Sequence, residues 1–195
     1  MSRQHLIKLL YHYVDLYPDE LEKVEKFRIF IEKYPDCFER TCLPAHITGS
    51  AWIVSPDHRK YLMTKHRIFN RWLQLGGHSD GCCEPHLVAL REAREESGLT
   101  RFGLYCDPAG FVPLDIDIHT IGARGNIPSH KHYDIRYLMI ATIEEPLKIG
   151  DESHDLGWFD KSSLENICQE KSILRMLIKG ANILTYQEGS VIYDL

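Results

Sequence analysis

The feature that most constrains this chain is a glycine-punctuated loop that runs directly into a short helix with clear ends. Gly76, Gly77, His78, Ser79, Asp80, Gly81, Cys82, Cys83 and Glu84 lead into Pro85, and a helical pattern then continues to Ser97, Gly98 and Leu99. Pro85 suits a first helical position, where a missing N–H costs nothing, and Gly98 followed by Leu99 suits a left-handed stop backed by an apolar contact. The pattern therefore predicts a helix over residues 85–97. At about 100° per residue, Glu92, Glu95 and Glu96 fall within an arc of about 100°, with Arg91 at its edge. Three carboxylates on one face repel one another unless a cation or Arg91 balances them, and clustered carboxylate oxygens are the donors that hard Mg²⁺ or Mn²⁺ ions prefer. A solvated acidic face is the plain alternative, since Glu-rich helices are common. The adjoining glycine loop favours the metal.

At these residues the sequence resembles the Nudix hydrolase family, whose box reads Gly-x5-Glu-x7-Arg-Glu-U-x-Glu-Glu-x-Gly-U, with U a bulky aliphatic residue. Gly77, Arg91, Glu92, Glu95, Glu96, Gly98 and Leu99 fall on its positions without gaps, while Cys83 stands where the first Glu belongs and Ala93 occupies an aliphatic position. The resemblance implies an α/β fold, a Nudix-like α/β/α sandwich with a mixed sheet. It implies hydrolysis of a nucleoside diphosphate linked to another group X, with Mg²⁺ or Mn²⁺ as cofactor. Carried over by position, Glu95 and Glu96 would be the principal metal ligands, Glu92 a further ligand or proton acceptor, the Gly77 carbonyl an oxygen ligand, and Arg91 the residue that orients the glutamates. The role of the first Glu is left vacant by Cys83, or is taken by Glu84 or Asp80. Glu84, beside Pro85, fits a helix N-cap better than a ligand. The family often supplies another carboxylate from a loop before a late strand ending in an aromatic pair. Asp151-Glu152-Ser153-His154-Asp155 precedes Trp158-Phe159 in that way, so Glu152 is the candidate ligand or general base and Asp155 the fallback.

Around the box, apolar residues recur at helical intervals over residues 4–16 and again over about 19–34, with Pro18 between the two runs and Pro35 ending the second. These predict a helical hairpin, with no evident chemistry, over an N-terminal extension of residues 1–45, packed on the following domain or on a second subunit. From residue 46 to 195 the texture is that of the hydrolase-like domain. Runs rich in β-branched and aromatic residues predict strands over 51–55, 61–65, 110–119, 133–143 and 156–159, and the pattern of Leu164, Ile167, Leu174, Leu177 and Ile178 predicts one helix over 162–179.

In the segment His130-Lys131-His132-Tyr133-Asp134-Ile135-Arg136, strand alternation sends His132, Asp134 and Arg136 to one face. His132 and Arg136 are candidates for gripping phosphate and Tyr133 for stacking on a base, with Arg71 a further candidate on the box side. A plain Asp134–Arg136 pair competes with that reading. A zinc site made from His78, Cys82, Cys83 and His119 or His130 is a weaker alternative, because adjacent cysteines fit one tetrahedral centre poorly and no Cys-x-x-Cys spacing supports it.

Composition narrows the partners. The formal charge of −5 and the lack of any Lys/Arg run argue against a nucleic-acid polymer, and leave a small nucleotide as the expected partner. No stretch is long and apolar enough to span a membrane, no secretory cleavage pattern follows the N-terminus, and six irregularly spaced cysteines read as free thiols. The expectation is a cytoplasmic protein, with a homodimer as one assembly open to it.

Overall fold

The computed structural model describes residues 2–150, 153–168, 170–186 and 191–194. Helices α1 (Arg3–Leu16) and α2 (Leu21–Lys33) flank a 3-10 turn at Pro18–Glu20, the point at which the sequence breaks its helical period. Nine strands follow among the described residues: β1 (Ala45–Val54), β2 (Lys60–His66), β3 (Arg71–Leu73), β4 (Leu75–His78), β5 (Phe102–Cys106), β6 (Asp115–Ile121), β7 (His130–Ala141), β8 (Ser153–Asp160) and β9 (Val191–Asp194). Helix α3 (Pro85–Ser97) lies between β4 and β5, and α4 (Lys161–Ile167) and α5 (Lys171–Tyr186) follow β8. No helix among the described residues is long and apolar enough to cross a membrane.

The sheet is mixed. Its spine is a parallel pairing of β1 with β7 over ten residue pairs, Ala45 with Lys131 to Val54 with Ile140. The other edge of β1 takes β4 and, at its end, β2; the other edge of β7 takes β6 and then β5. Both central strands are covered on both faces, so their side chains divide by period two into two cores. Ile47, Ile53, Ile135, Tyr137 and Met139 pack on one face with Leu6, Leu10, Tyr13, Val24, Phe27 and Ile31 of the hairpin and with Ala89 and Ala93 of α3. Trp52, Val54, Leu138 and Ile140 pack on the other with Leu164, Ile173, Met176 and Leu177 of α4 and α5. The result is an α/β/α sandwich with a helical hairpin in front.

The hairpin is thus part of the main core. Phe30 stacks on Tyr133 with ring centroids 4.3 Å apart, and Phe27 meets the same ring edge-on at 5.0 Å. Each fully buried side chain of this kind contributes about 1.5–3 kcal/mol relative to exposure.

Two sequence expectations change. The single helix over 162–179 is broken near Cys168, and α5 runs on to Tyr186. The strand expected over 110–119 starts only at Asp115, because Val112 N–H closes a tight turn onto the Gly110 carbonyl, Gly110 has φ 124°, and Pro113 has no N–H for a ladder.

A buried ion network ties the layers together. Asp115, fully buried, accepts hydrogen bonds from Lys179 Nζ (2.8 Å) and Arg175 Nε (2.7 Å), and pairs with Arg136 Nη1 (3.2 Å). Lys179 also donates to Tyr13 OH (2.6 Å) and Glu20 Oε1 (2.6 Å), so the turn between α1 and α2 is fastened to α5 and β6. Burial pushes the Glu20 carboxyl up, but hydrogen bonds from Lys179, Lys23 and Tyr13 outweigh it and hold the group at about 2, against 4.5 unperturbed. A depressed carboxylate contributes stability above the unfolded-state pKa and loses it as pH falls through the folded-state value. The margin of wild type over Glu20→Gln, on the order of a few kcal/mol at neutral pH, is therefore expected to shrink from about pH 5 and vanish near pH 2. Urea melts of both proteins across that range check this; a margin independent of pH would contradict it.

Candidate active site

The site forms where α3 crosses the β1–β4 pair. Gly77 faces Gly49 across that ladder, and the helix lies directly on both. A Cβ on Gly49 would stand 2.5 Å from the Pro85 carbonyl oxygen, and one on Gly77 would stand 2.5–2.7 Å from the Glu92 carboxyl group. Only glycine permits this approach, and it brings β4 backbone against an acidic side chain. Pro85 opens α3 and Gly98, at φ 71°, closes it with its N–H on the Arg94 carbonyl. Before the helix, Asp80 (φ 47°) and Gly81 (φ 84°) make the tight turn.

Arg91 Nη2 donates to Glu92 Oε1 (2.7 Å) and to the His78 carbonyl (2.6 Å), which fixes the Glu92 carboxylate beside Gly77. Glu95 is exposed one turn on, while Glu96 is 8% exposed. The chain crosses the end of α3 at this point: Lys148 N–H bonds the Ser97 carbonyl, and a Cβ on Gly150 would lie 3.5 Å from Glu96 Cα. Arg91, Glu92 and Glu95 line a cleft of about 860 Å³ together with Gly76 and Gly77. Its other walls carry Arg40, Arg67 and Arg124, the apolar Ile68, Phe69, Ile121 and Ile127, and a set of histidines.

The floor is a polar ladder built by register. Thr48, Asp134 and Asp117 lie abreast on β1, β7 and β6, as do Ser50, Arg136 and Asp115 in the next row. Asp134 accepts from Thr48 Oγ1 (2.8 Å), Ser50 Oγ (2.8 Å) and Arg136 Nε (2.7 Å). Burial opposes its ionisation, but the Arg136 guanidinium prevails and holds the carboxyl below its ordinary value.

The row above holds His46, His132 and His119, with His78 beside Thr48 on β4. Burial, reinforced by neighbouring imidazoles, lowers His132 to about 2. Burial and the Arg40 charge lower His78 to about 4, and burial also lowers His46. Burial thus disfavours the charged form of His46, His78 and His132.

Several sequence expectations are corrected here. Arg136 does not reach the cleft as a phosphate grip: it is 3% exposed and spent on Asp134, Asp115 and Asp117, so the plain pair with Asp134 is the one that forms. Tyr133 points to the opposite face of the sheet, under Phe30 of the hairpin, because odd residues of β7 alternate away from His132. Arg71 pairs with Glu170 and is not part of the cleft wall. His132 does line the cleft but carries no charge with which to grip phosphate. Cys83 is half-buried against the apolar core, Asp80 pairs with Arg40, and Glu84 takes the N-cap position without a side-chain cap bond. Glu152 lies outside the described residues. Asp155 is exposed on β8, with its carboxylate on the Leu156 N–H (2.9 Å). No disulfide joins any of the six cysteines among the described residues. Arg40 and Arg124 in the cleft were missed, since isolated arginines in loops carry no periodic signal.

No protein-family profile and no curated protein matches the chain. Solved structures do match. An Ap4A hydrolase of C. elegans in a binary complex aligns with TM-score 0.56 at 15% identity, covering 71% of this chain and 96% of that one. A Nudix hydrolase of M. smegmatis gives 0.52 at 12% identity, covering 74% and 89%. The dihydroneopterin triphosphate pyrophosphohydrolase of E. coli gives 0.50 at 14% identity, covering 70% and 95%. The chain has the fold of these hydrolases.

Proposed function

We propose that this chain, which has the Nudix hydrolase fold, is a divalent-metal-dependent hydrolase that cleaves the diphosphate linkage of a nucleoside diphosphate bound to another group X. The observation that carries this reading is the Glu92 carboxylate, held by Arg91 against Gly77 at the wall of a cleft into which Glu95 also opens. The donor set at the cleft fits Mg²⁺ or Mn²⁺: oxygen ligands only, from Glu92, Glu95 and the Gly77 carbonyl, with the buried Glu96 added on the box pattern alone. When bound, such ions screen the charge of the diphosphate and acidify a water at neutral pH.

The chain's own residues supply the rest. Arg91 fixes the orientation of Glu92, which is placed to accept a proton from the attacking water. Arg40, Arg67 and Arg124 bring positive charge to a cleft whose acidic side would otherwise repel an anion. Phe69 and the neighbouring isoleucines offer a face for a base. A volume of about 860 Å³ lies within the range that accommodates a nucleotide-sized ligand. Glu152 is proposed as an additional general base on the strength of its position before Trp158-Phe159 alone.

Cys83 favours a second reading, a nucleotide-binding module of the same fold that does not turn its ligand over. The deciding experiment is a hydrolysis screen with Mg²⁺ or Mn²⁺ over dinucleoside polyphosphates, ADP-ribose, sugar nucleotides and nucleoside triphosphates. Turnover that requires added metal supports the hydrolase. Saturable nucleotide binding without turnover across the screen would replace it with the binding module.

A further inference from the structure

Three imidazoles from two distant segments meet at the edge of the cleft, which His130 and His132 line. One ring nitrogen each of His46, His130 and His132 lies within 4.8 Å of one from both others. His46 and His132 are direct partners in the parallel β1–β7 register, and His130 lies two residues before His132 on the same face. His130 is 8% exposed and His46 only 2%. The ring centroids of the three pairs are 4.8, 4.9 and 5.2 Å apart.

The tautomers are set by backbone carbonyls, which only accept. His130 Nδ1 faces the Pro128 carbonyl at 2.9 Å and His46 Nδ1 the Cys42 carbonyl at 3.4 Å. Each Nδ1 therefore carries the proton, and each Nε2 is left with a bare lone pair. Metal-bound histidines are held this way, with the outer nitrogen donating to a carbonyl and the inner one left basic. His46 Nε2 is buried with no hydrogen-bond partner among the described residues, and so is His132 Nε2. Buried polar atoms are satisfied in folded proteins, so the unpartnered lone pair of His46, in a group of three imidazoles with one nitrogen each within 4.8 Å, calls for a ligand that accepts electron pairs.

We propose that His46, His130 and His132 form a transition-metal site, separate from the carboxylates of α3, that takes a borderline ion of the Zn²⁺ class. Neutral imidazole is the ligating form, and nitrogen donors select zinc-like ions over Mg²⁺. The bare Nε2 lone pairs of His46 and His130 cannot donate to a phosphate. An ion about 2.0–2.1 Å from each nitrogen brings tetrahedral donors to about 3.4 Å from one another. Ring tilts on the order of 1 Å from the present separations achieve that. His78, whose ring lies 5.0 Å from that of His46, is the next imidazole in reach. Cys82 and Cys83, which the sequence offers as partners for a zinc ion, are not in the group. The proposal rests on this geometry and is independent of whether the chain hydrolyses nucleotides.

The test is titration of chelator-stripped, full-length protein with Zn²⁺ against a chromophoric competitor, and with Co²⁺ followed by visible absorption. The expected result is one equivalent of Zn²⁺ bound, Co²⁺ bands of tetrahedral intensity, and affinity weakened at least about a hundredfold in His132→Gln and His130→Gln. Circular dichroism and melting verify that each variant folds. His130→Gln, at the strand entrance, is the variant least exposed to misfolding. Glu92→Gln/Glu95→Gln and Cys82→Ser/Cys83→Ser should keep the Zn²⁺ site intact. Absence of stoichiometric binding to the wild type overturns the proposal, and so does binding that survives both histidine changes or disappears with the glutamates or the cysteines.

Discussion

Glu95→Gln and Glu96→Gln are each expected to lower metal-dependent turnover by on the order of a hundredfold or more while the protein remains folded. On the proposed function, loss of a carboxylate ligand would act on the charge that develops during phosphorus–oxygen cleavage, since an amide oxygen replaces a full negative charge with a partial one. The two positions differ in what else they report. Glu95 is exposed beside the cleft, so its change removes chemistry and almost nothing from stability. Glu96 is 8% exposed, so its change also alters a buried contact, and its melt must be read beside its rate. Arg71→Ala is the informative control, because the Arg71 side chain pairs with Glu170 away from the cleft. Steady-state rates on the best substrate of the screen decide the matter. Wild-type turnover in both glutamate variants would remove α3 from the reaction.

Asp115→Asn is expected to destabilise the fold by about 3–5 kcal/mol, the range for breaking a buried ion pair on one side. In a chain of this length that is a fall in Tm on the order of 10 °C. Asp115 is the carboxylate on which Arg136, Arg175 and Lys179 converge. Asparagine keeps the shape but leaves three cations sharing Glu20, Asp117 and Asp134. The network joins the turn after α1 to α5 and to the floor of the cleft, so the loss should appear as one cooperative transition at lower temperature. Glu22→Gln, which breaks an exposed pair with Lys26 on α2, should leave the melt unchanged. Equal small effects from the two changes would mean that the network contributes no more than surface charge.

What the sequence determined by itself is what short-range geometry controls. The start of α3 at Pro85, its stop at Gly98 and the common face of Arg91, Glu92, Glu95 and Glu96 follow from 3.6-residue periodicity and from two residues with restricted or permissive backbones. The helix ends stand where those rules put them, and Arg91, Glu92 and Glu95 line the cleft together, whereas Glu96 is buried. The two N-terminal helices, broken at Pro18, follow for the same reason. Tertiary structure decided which side chains meet. The alternation that put His132 and Arg136 on one face was legible, but their environments were not. Whether Arg136 faces a ligand or three aspartates depends on β6 lying beside β7 and on α5 covering that end of the sheet. The meeting of His46 with His130 and His132 was beyond local reading altogether. It depends on a parallel pairing between strands more than eighty residues apart, and no spacing along the chain records the register of such a pair. Burial then did what composition could not foretell: it lowered the basicity of His46 and His132 and left one nitrogen of each without a partner among the described residues.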